Sequence, residues 1–200
     1  MSSGLGRRAR MRVSGSVLVL LALAVVAVLV APLAQRVINH FTLPLQYAPI
    51  IRQQAAAKHL DPALVAAVIY AETRFRPRTS PTGAVGLMQI EPATALYLAH
   101  RSGGVTFTVA DLSTPAINIA YGSYYLRYLL NEFRGNEVLA LAAYNGGETN
   151  VDRWLHIAKV DGRALTIAGI PLLETRAYVR EVLTKQRAYR RRYARQLGYG

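Results

Sequence analysis

The sequence predicts a mainly α-helical domain that follows an apolar N-terminal segment. After residue 49 every strong local pattern is helical, and the alternating apolar and polar residues typical of strands are nearly absent. Helix-starting residues, among them Asp-Pro and Thr-Pro pairs, stand in front of several apolar stretches. The chain has 200 residues, which is enough for one globular domain and a short appendage.

The net charge of +13 is concentrated at the two ends of the chain. Residues 1–12 contain four arginines, and residues 176–195 contain eight basic residues against one acidic residue. The residues between are nearly neutral, so we expect no nucleic-acid partner. There is no cysteine, the four histidines lack the spacing of metal ligands, and no glycine-rich phosphate loop follows a strand. We therefore expect no metal and no cofactor.

Residues 1–36 have the properties of a membrane anchor. No charged residue lies between Arg12 and Arg36, and the run 17–30 is almost entirely Val, Leu and Ala. Crossing a bilayer takes about 20 apolar residues, and the uncharged stretch is long enough. Because the arginines precede this stretch, we expect a single-pass protein of the inner membrane with its N-terminus in the cytoplasm. The domain that follows would then face the periplasm.

A cleaved signal peptide is the competing interpretation of the same segment. Pro32 and Leu33 leave no clean small-x-small cleavage site before Gln35, which favours an uncleaved anchor. Residues 37–49 contain two prolines and are of mixed polarity, so we expect a linker there and the catalytic domain over 50–200.

The helices of the domain are predicted from their start and stop residues. Asp61 and Pro62 begin an apolar helix that ends near Thr73, and the breaker-rich segment 76–86 is a structured loop. Further helices are expected from near Pro92, from the cap Ser113-Thr114-Pro115 to about Phe133, from Asn136 to the stop at Gly146-Gly147, and from about Glu174 to Gln196. In the helix that reaches about Phe133, the tyrosines of 121–128 recur at helical spacing. We expect most of them to pack inside the domain and one or two to contact sugars.

Glu72 is the main candidate for a catalytic residue. It closes a helix that is otherwise uncharged, and a carboxyl group in a partly dry cleft has a raised pKa, so it can donate a proton near neutral pH. The same residues allow a second interpretation, in which Glu72 is a surface residue that pairs with a nearby arginine at position 74, 76 or 78. Taken alone, the helix favours the second interpretation, and the motifs that follow Glu72 favour the first.

Three ordered motifs continue from Glu72. They are Glu72-Thr73-Arg74-Phe75-Arg76-Pro77 with Gly86-Leu87-Met88-Gln89-Ile90, then Ala143-Tyr144-Asn145-Gly146-Gly147, and then Ile170-Pro171 with Glu174-Thr175-Arg176 and Tyr178-Val179. Over about residues 46–190 the chain resembles the catalytic domain of the soluble-type lytic transglycosylases, the transglycosylase SLT family. The resemblance implies a goose-lysozyme-like helical fold that acts on peptidoglycan. Thr73 departs from the family pattern, which usually has serine there.

The resemblance also implies roles for the motif residues. Glu72 would protonate the glycosidic oxygen and then act as base, and Thr73 would orient it. The substrate-binding residues implied in this way are Thr73, Met88, Gln89, Tyr144, Asn145, Glu174 and Tyr178. Several have purely structural alternatives: cleft wall or core for Met88, a helix C-cap for Asn145, the acidic first turn for Glu174 and helix packing for Tyr178.

The sequence offers one well-placed carboxyl group, whereas ordinary glycosidases use two. This fits what the resemblance implies, a cleavage of the MurNAc–GlcNAc bond that consumes no water and leaves 1,6-anhydro-MurNAc ends. Two alternatives stay open: a hydrolytic muramidase with the same fold, and a non-enzymatic peptidoglycan-binding scaffold. The basic C-terminal helix is either a solvated face or a patch for anionic wall polymers or lipids.

Overall fold

The computed structural model describes residues 43–103 and 106–199, together with Ala24, Val26, Val28, Val30 and Ala31. The chain divides into two compact units, Met1–Leu43 and Pro44–Gly200. In the first unit the described residues between 24 and 31 are helical, Leu43 is not, and the three valines are more than half exposed. The rest of the predicted anchor at 1–36 lies outside the described residues. Within the described part of the chain, no helix is both long enough and apolar enough to cross a membrane.

The second unit is mainly helical, as the sequence predicts. Its α-helices are α1 (Ala48–Ala57), α2 (Pro62–Thr73), α3 (Pro92–Ser102), α4 (Pro115–Glu132), α5 (Glu137–Gly146), α6 (Glu148–Val160), α7 (Leu173–Arg192) and α8 (Ala194–Leu197). Short 3-10 helices lie at Val109–Ser113 and Ile167–Gly169, and the strands β1 (Arg78–Thr79) and β2 (Val85–Gly86) form an antiparallel pair.

Helix α2 lies at the centre of this unit. Every residue from 63 to 70 is buried, and the helix packs mainly against α7. Its start is as predicted: Asp61 Oδ1 accepts a hydrogen bond from the amide of Ala63 at 2.9 Å, and Pro62 occupies the first turn. The helix ends at Thr73 because Arg74 adopts a left-handed conformation with φ +52°. Glu72 therefore lies in the last turn of a buried helix.

Helices α4 and α5 begin where they were predicted to begin. The side chain of Asn136 accepts a hydrogen bond from the amide of Leu139 at 3.2 Å and caps α5, which packs between α4, α6 and α7. The expected side-chain cap of α4 is missing, because the hydroxyl of Ser113 bonds to the Ala110 carbonyl at 2.7 Å and Thr114 makes no cap bond. The fixed φ of the proline in the first turn favours this start without a hydroxyl cap.

Two segments near the N-terminal side differ from the prediction. Helix α1 begins at Ala48, inside the segment 37–49 that we expected to be a linker, because Pro49 falls in the first helical turn, where proline is tolerated. The loop 76–86 contains the β1–β2 pair, with Arg78 opposite Gly86.

Two further differences concern the C-terminal half. Helix α6 was not predicted, because Gly147 ends α5 and at the same time precedes the first residue of α6. The last long helix stops at Arg192, four residues before the predicted end, and α8 follows as a separate short helix.

Candidate active site

A cleft of about 430 Å³ runs between the end of α2, the β1–β2 hairpin, the start of α3, the end of α5 and the start of α7. It is lined by Glu72, Ser80, Thr82, Ala84, Gln89, Ile90, Glu91, Thr94, Tyr125, Ala143, Tyr144, Asn145, Gly146, Gly147 and Glu174. Five of the eight predicted site residues are in this set, namely Glu72, Gln89, Tyr144, Asn145 and Glu174. The fold thus brings residues from three separate motifs to one surface.

Glu72 is the carboxyl group of the cleft that burial affects most. Burial raises the pKa of Glu72 from its ordinary value of 4.5 to about 7, and the nearby charge of Glu174 acts in the same direction. The Tyr178 hydroxyl and the Arg78 guanidinium act in the opposite direction. Near neutral pH the group is therefore divided between its acid and carboxylate forms, as a residue that both donates and accepts a proton requires.

The arginines that follow Glu72 in the sequence do not neutralise its carboxyl group. Arg74 pairs with Glu181 at 3.3 Å and lies over the ring of Tyr70 at 4.5 Å. Arg78 donates to the main-chain carbonyl of Glu72 at 3.2 Å. Within the described part of the chain, no basic side chain forms an ion pair with the Glu72 carboxyl group. The interpretation of Glu72 as an ion-paired surface residue is therefore wrong.

Two tyrosines adjoin Glu72, the buried Tyr178 and the half-buried Tyr144. Tyr178 does not line the cleft, and its hydroxyl is buried beside the Glu72 carboxyl in a geometry that falls short of a regular hydrogen bond. Among the described residues that hydroxyl has no other hydrogen-bond partner. Tyr144 lines the cleft and donates to the Met88 carbonyl at 2.9 Å. Burial, and then the charge of Glu72, raise the pKa of both tyrosines, so both hydroxyls stay protonated.

Gln89 faces the cleft from the turn after β2, where its φ is +48°. Its amide nitrogen donates to the carbonyls of Arg78 and Gly86, both at 2.8 Å. Because both N–H groups are used in this way, the side chain can offer a substrate only its carbonyl oxygen. Gln89 therefore holds the hairpin together and is left as an acceptor at the cleft surface.

The structure places Thr73 and Met88 away from the cleft surface. The Thr73 hydroxyl lies 2.8 Å from the Leu87 carbonyl and 3.2 Å from the Ile69 carbonyl, so it joins α2 to the loop after β2 and does not orient Glu72. Met88 is fully buried, and its side chain packs against Gly122 of α4. Both residues support the walls of the cleft, and the predicted substrate contacts are wrong for their side chains.

Asn118 of α4 is a site residue that the sequence analysis missed. It is fully buried, and its Oδ1 accepts from the Met88 amide at 2.8 Å. Its Nδ2 donates to the carbonyls of Val85 at 2.9 Å and Leu112 at 3.0 Å. One side chain thus fixes the backbone on both sides of Gly86. In the sequence its neighbours Ile117 and Ile119 are apolar, and a single amide side chain between them is the one signal that pointed to it.

The described residues hold no group of three or more His, Asp or Glu side chains that is arranged to bind a metal ion. The cleft instead contains one carboxyl group that is half protonated near pH 7, two exposed carboxyl groups from Glu91 and Glu174, and neutral polar groups. Such a set is suited to proton transfer on a neutral polar substrate.

Comparisons with known proteins identify the family of this chain. The model of the transglycosylase SLT domain matches residues 49–166. The chain is 33% identical over 151 residues to the soluble lytic murein transglycosylase of Escherichia coli K12, and 34% identical over 156 residues to that of Salmonella typhimurium. Each alignment covers 74% of this chain and 23% of the relative, so the chain spans about a quarter of these proteins.

Solved structures give the same family. An inactive mutant of the lytic transglycosylase Slt from Pseudomonas aeruginosa superposes with a TM-score of 0.70 at 32% identity, covering 76% of this chain and 25% of that one. The 70-kDa soluble lytic transglycosylase in complex with bulgecin A also gives 0.70 at 32% identity, covering 74% and 25%. The chain belongs to the transglycosylase SLT domain family.

Proposed function

We propose that this protein is a lytic transglycosylase that cleaves the β-1,4 bond between MurNAc and GlcNAc in peptidoglycan and leaves 1,6-anhydro-MurNAc ends. The observation that carries the proposal is the Glu72 carboxyl group, which lies unpaired at the cleft with its pKa raised to about 7. The names of the relatives, which are murein transglycosylases, support the substrate class.

In the proposed reaction Glu72 acts twice. In its protonated form it donates to the glycosidic oxygen as the C1–O bond breaks, and the positive charge that develops at C1 is stabilised by the N-acetyl group of the substrate. As a carboxylate it then takes the proton of the muramoyl 6-hydroxyl, whose oxygen bonds to C1 and closes the anhydro ring. The proton lost in the first step is recovered in the second, and no water is consumed.

Neutral groups supply the remaining polarity of the site in this proposal. The buried Tyr178 hydroxyl adjoins Glu72 and favours its carboxylate form, which forms when the proton leaves. Gln89 contributes an acceptor, since both of its N–H groups are held by the hairpin. Asn145 lines the cleft from the end of α5 and would supply amide donors.

The product chemistry tests this proposal directly. Purified sacculi are digested with the full-length protein in oxygen-labelled water, and the released fragments are analysed by mass spectrometry. We expect muropeptides that end in anhydro-MurNAc, each lighter by one water than the hydrolysed form and free of the label. Glu72→Gln protein, prepared in parallel, serves as the control for contaminating enzymes.

Two other results would contradict the proposal. Labelled, reducing ends would show hydrolysis, and Glu91 or Glu174 would then be the candidate second carboxylate, because both line the cleft. Release of nothing above the control, from a protein that binds sacculi, would instead indicate a peptidoglycan-binding scaffold.

We also propose that the protein is held in the inner membrane by residues 1–36, with the domain on the periplasmic face. The uncharged stretch after Arg12 and the exposed helical valines Val26, Val28 and Val30 support this location. Extraction with alkaline carbonate should leave the full-length protein with the membranes and release a variant that lacks residues 13–36. Release of both forms would exclude the anchor.

The basic helix α7 uses part of its charge inside the domain. Arg190 forms an ion pair with Asp61 at 2.6 Å, and the Lys185 ammonium lies 4.3 Å from the centre of the Tyr70 ring. Its other exposed arginines, among them Arg191 and Arg192, are the groups that would contact anionic lipids or wall polymers.

A further inference from the structure

A row of four tyrosine rings leads from the cleft to the protein surface. Tyr144 and Tyr125 line the cleft, with ring centres 5.2 Å apart. Tyr125 is stacked on Tyr128 at 6.2 Å, and Tyr128 meets Tyr97 edge-on at 6.1 Å. We call these four residues the tyrosine row. It begins beside the catalytic group and ends outside the cleft.

The outer end of the row is open to solvent. Tyr97 is 48% exposed, which is unusual for a large ring that takes part in an aromatic contact. It lies three residues after Thr94 on α3, so the two share one helix face, and Thr94 lines the cleft. The surface from the cleft to Tyr97 is therefore continuous along α3 as well as through the rings.

Polar groups surround the outer rings. Arg101 donates to the Tyr97 hydroxyl oxygen at 3.2 Å, and its guanidinium lies 5.2 Å from the centre of the Tyr128 ring. The Tyr128 hydroxyl donates to Glu148 Oε2 at 3.0 Å. Because Arg101 uses one N–H group on Tyr97, its other N–H groups remain available as donors, and the second carboxyl oxygen of Glu148 remains available as an acceptor.

Flat apolar rings bordered by fixed donors and acceptors match a pyranose sugar. Such a sugar has an apolar face of C–H groups and a rim of hydroxyl and amide groups, and a tyrosine offers the complementary apolar ring with a polar tip. A binding site for a small polar molecule is typically lined by aromatic side chains with a few placed polar groups. The outer end of the tyrosine row has both features.

We propose that Tyr97, Arg101, Tyr128 and Glu148 form a distal sugar subsite that binds a pyranose ring of the glycan strand outside the catalytic cleft. The subsite rests on the proposed function, because it assigns the same glycan strand to the cleft and to the row. It would make the protein favour long strands over short fragments, since only a long strand reaches from Glu72 to Tyr97.

The test measures binding without turnover. Full-length Glu72→Gln protein is titrated with oligosaccharides of alternating GlcNAc and MurNAc of increasing length. The titration is repeated with a double variant that carries both Glu72→Gln and Tyr97→Ala. We expect Tyr97→Ala to weaken the binding of long oligosaccharides about tenfold, the size of one aromatic stacking contact, and to leave the binding of the shortest ones unchanged. Tyr97→Phe, which keeps the ring, should recover most of the lost affinity.

Tyr121→Ala is the matched control. Tyr121 lies on α4, as Tyr125 and Tyr128 do, and it is stacked on the ring of Phe107 at 4.3 Å. It is not part of the tyrosine row. We expect it to change binding of no oligosaccharide. In active protein with Glu72 intact, Tyr97→Ala should raise KM for long strands and leave kcat unchanged.

Other outcomes would overturn the subsite. If Tyr97→Ala weakened short and long oligosaccharides equally, or lowered only the melting temperature, the row would serve packing alone. The proposed function and the subsite fail separately. Length-dependent binding that requires Tyr97, in a protein that releases no anhydro products, would retain the subsite and reject the transglycosylase. Anhydro products from a protein in which Tyr97→Ala has no effect on binding would retain the transglycosylase and reject the subsite.

Discussion

Replacing Glu72 with glutamine should lower kcat on peptidoglycan by about 10³-fold, which is within the range for the loss of a general acid and base. Glutamine has nearly the shape of a protonated glutamic acid, so the cleft and the affinity for oligosaccharides should be retained. It cannot give up a proton to the glycosidic oxygen or take one from the muramoyl 6-hydroxyl. The measurement is the initial rate of fragment release from sacculi, with binding determined in parallel.

Glu174→Gln is the matched control for this prediction. Glu174 lines the same cleft but is exposed, and it acts on Glu72 through its charge, which raises the pKa of Glu72. We expect this variant to keep most of its activity. Its kcat/KM should begin to fall at a lower pH than in the unmodified protein, where the fall is expected above about pH 7. A loss as large as that of Glu72→Gln would point to a two-carboxylate mechanism.

The same Glu72→Gln substitution should stabilise the fold at alkaline pH. The folded state raises the pKa of Glu72 from 4.5 to about 7, so between these values the folded protein binds more protons than the unfolded chain. Its free energy of unfolding therefore falls as pH rises through this window, by roughly 3 kcal/mol in total. Above it, unfolding in urea should show the variant to be more stable than the unmodified protein. Below pH 4.5 the difference should vanish, and an equal difference at every pH would refute the raised pKa.

The parts of the fold that could be predicted depend on local chemistry. Asp61 with Pro62, and Asn136, start helices through hydrogen bonds to residues two or three positions away, so a short stretch of sequence contains the whole interaction. Helix α6 escaped prediction because two consecutive glycines indicate a break, and whether a helix resumes at once depends on packing against α5.

In the candidate site, too, only the features that depend on local sequence could be predicted. Glu72 could be identified because it stands at the end of an uncharged helix within a motif. The roles of its neighbours depend on the direction of the chain in space: Gln89, with φ +48°, faces the cleft, while Met88 just before it faces the core. The Thr73 hydroxyl bonds to Leu87, fourteen residues away along the chain. Two partners of Asn118, Val85 and Met88, are more distant still. These long-range hydrogen bonds leave no local pattern in the sequence.

Replacing Gly86 with alanine should destabilise the domain by roughly 4 kcal/mol or more, through two separate effects. Gly86 has φ +83°, a conformation that costs an alanine about 1 kcal/mol. A Cβ there would also lie 2.1 Å from Asn118 Nδ2 and 2.7 Å from the Leu112 carbonyl oxygen. Neither neighbour is the free end of a flexible side chain, because Asn118 is fully buried and bonded to the backbone on both sides of Gly86.

Gly83→Ala separates these two effects. Gly83 also has a positive φ, +94°, but a Cβ there would meet no atom within 4 Å. Gly83→Ala should therefore lower the free energy of unfolding only by the cost of the backbone conformation, about 1 kcal/mol. Both variants are compared by urea unfolding and by the rate of fragment release. Gly86→Ala should also lose activity even where it is folded, because the Gly86 carbonyl accepts from Gln89 at the cleft surface. Equal destabilisation of the two variants would mean that the position needs glycine for its backbone conformation alone, and that Asn118 does not fix the loop beside Glu72.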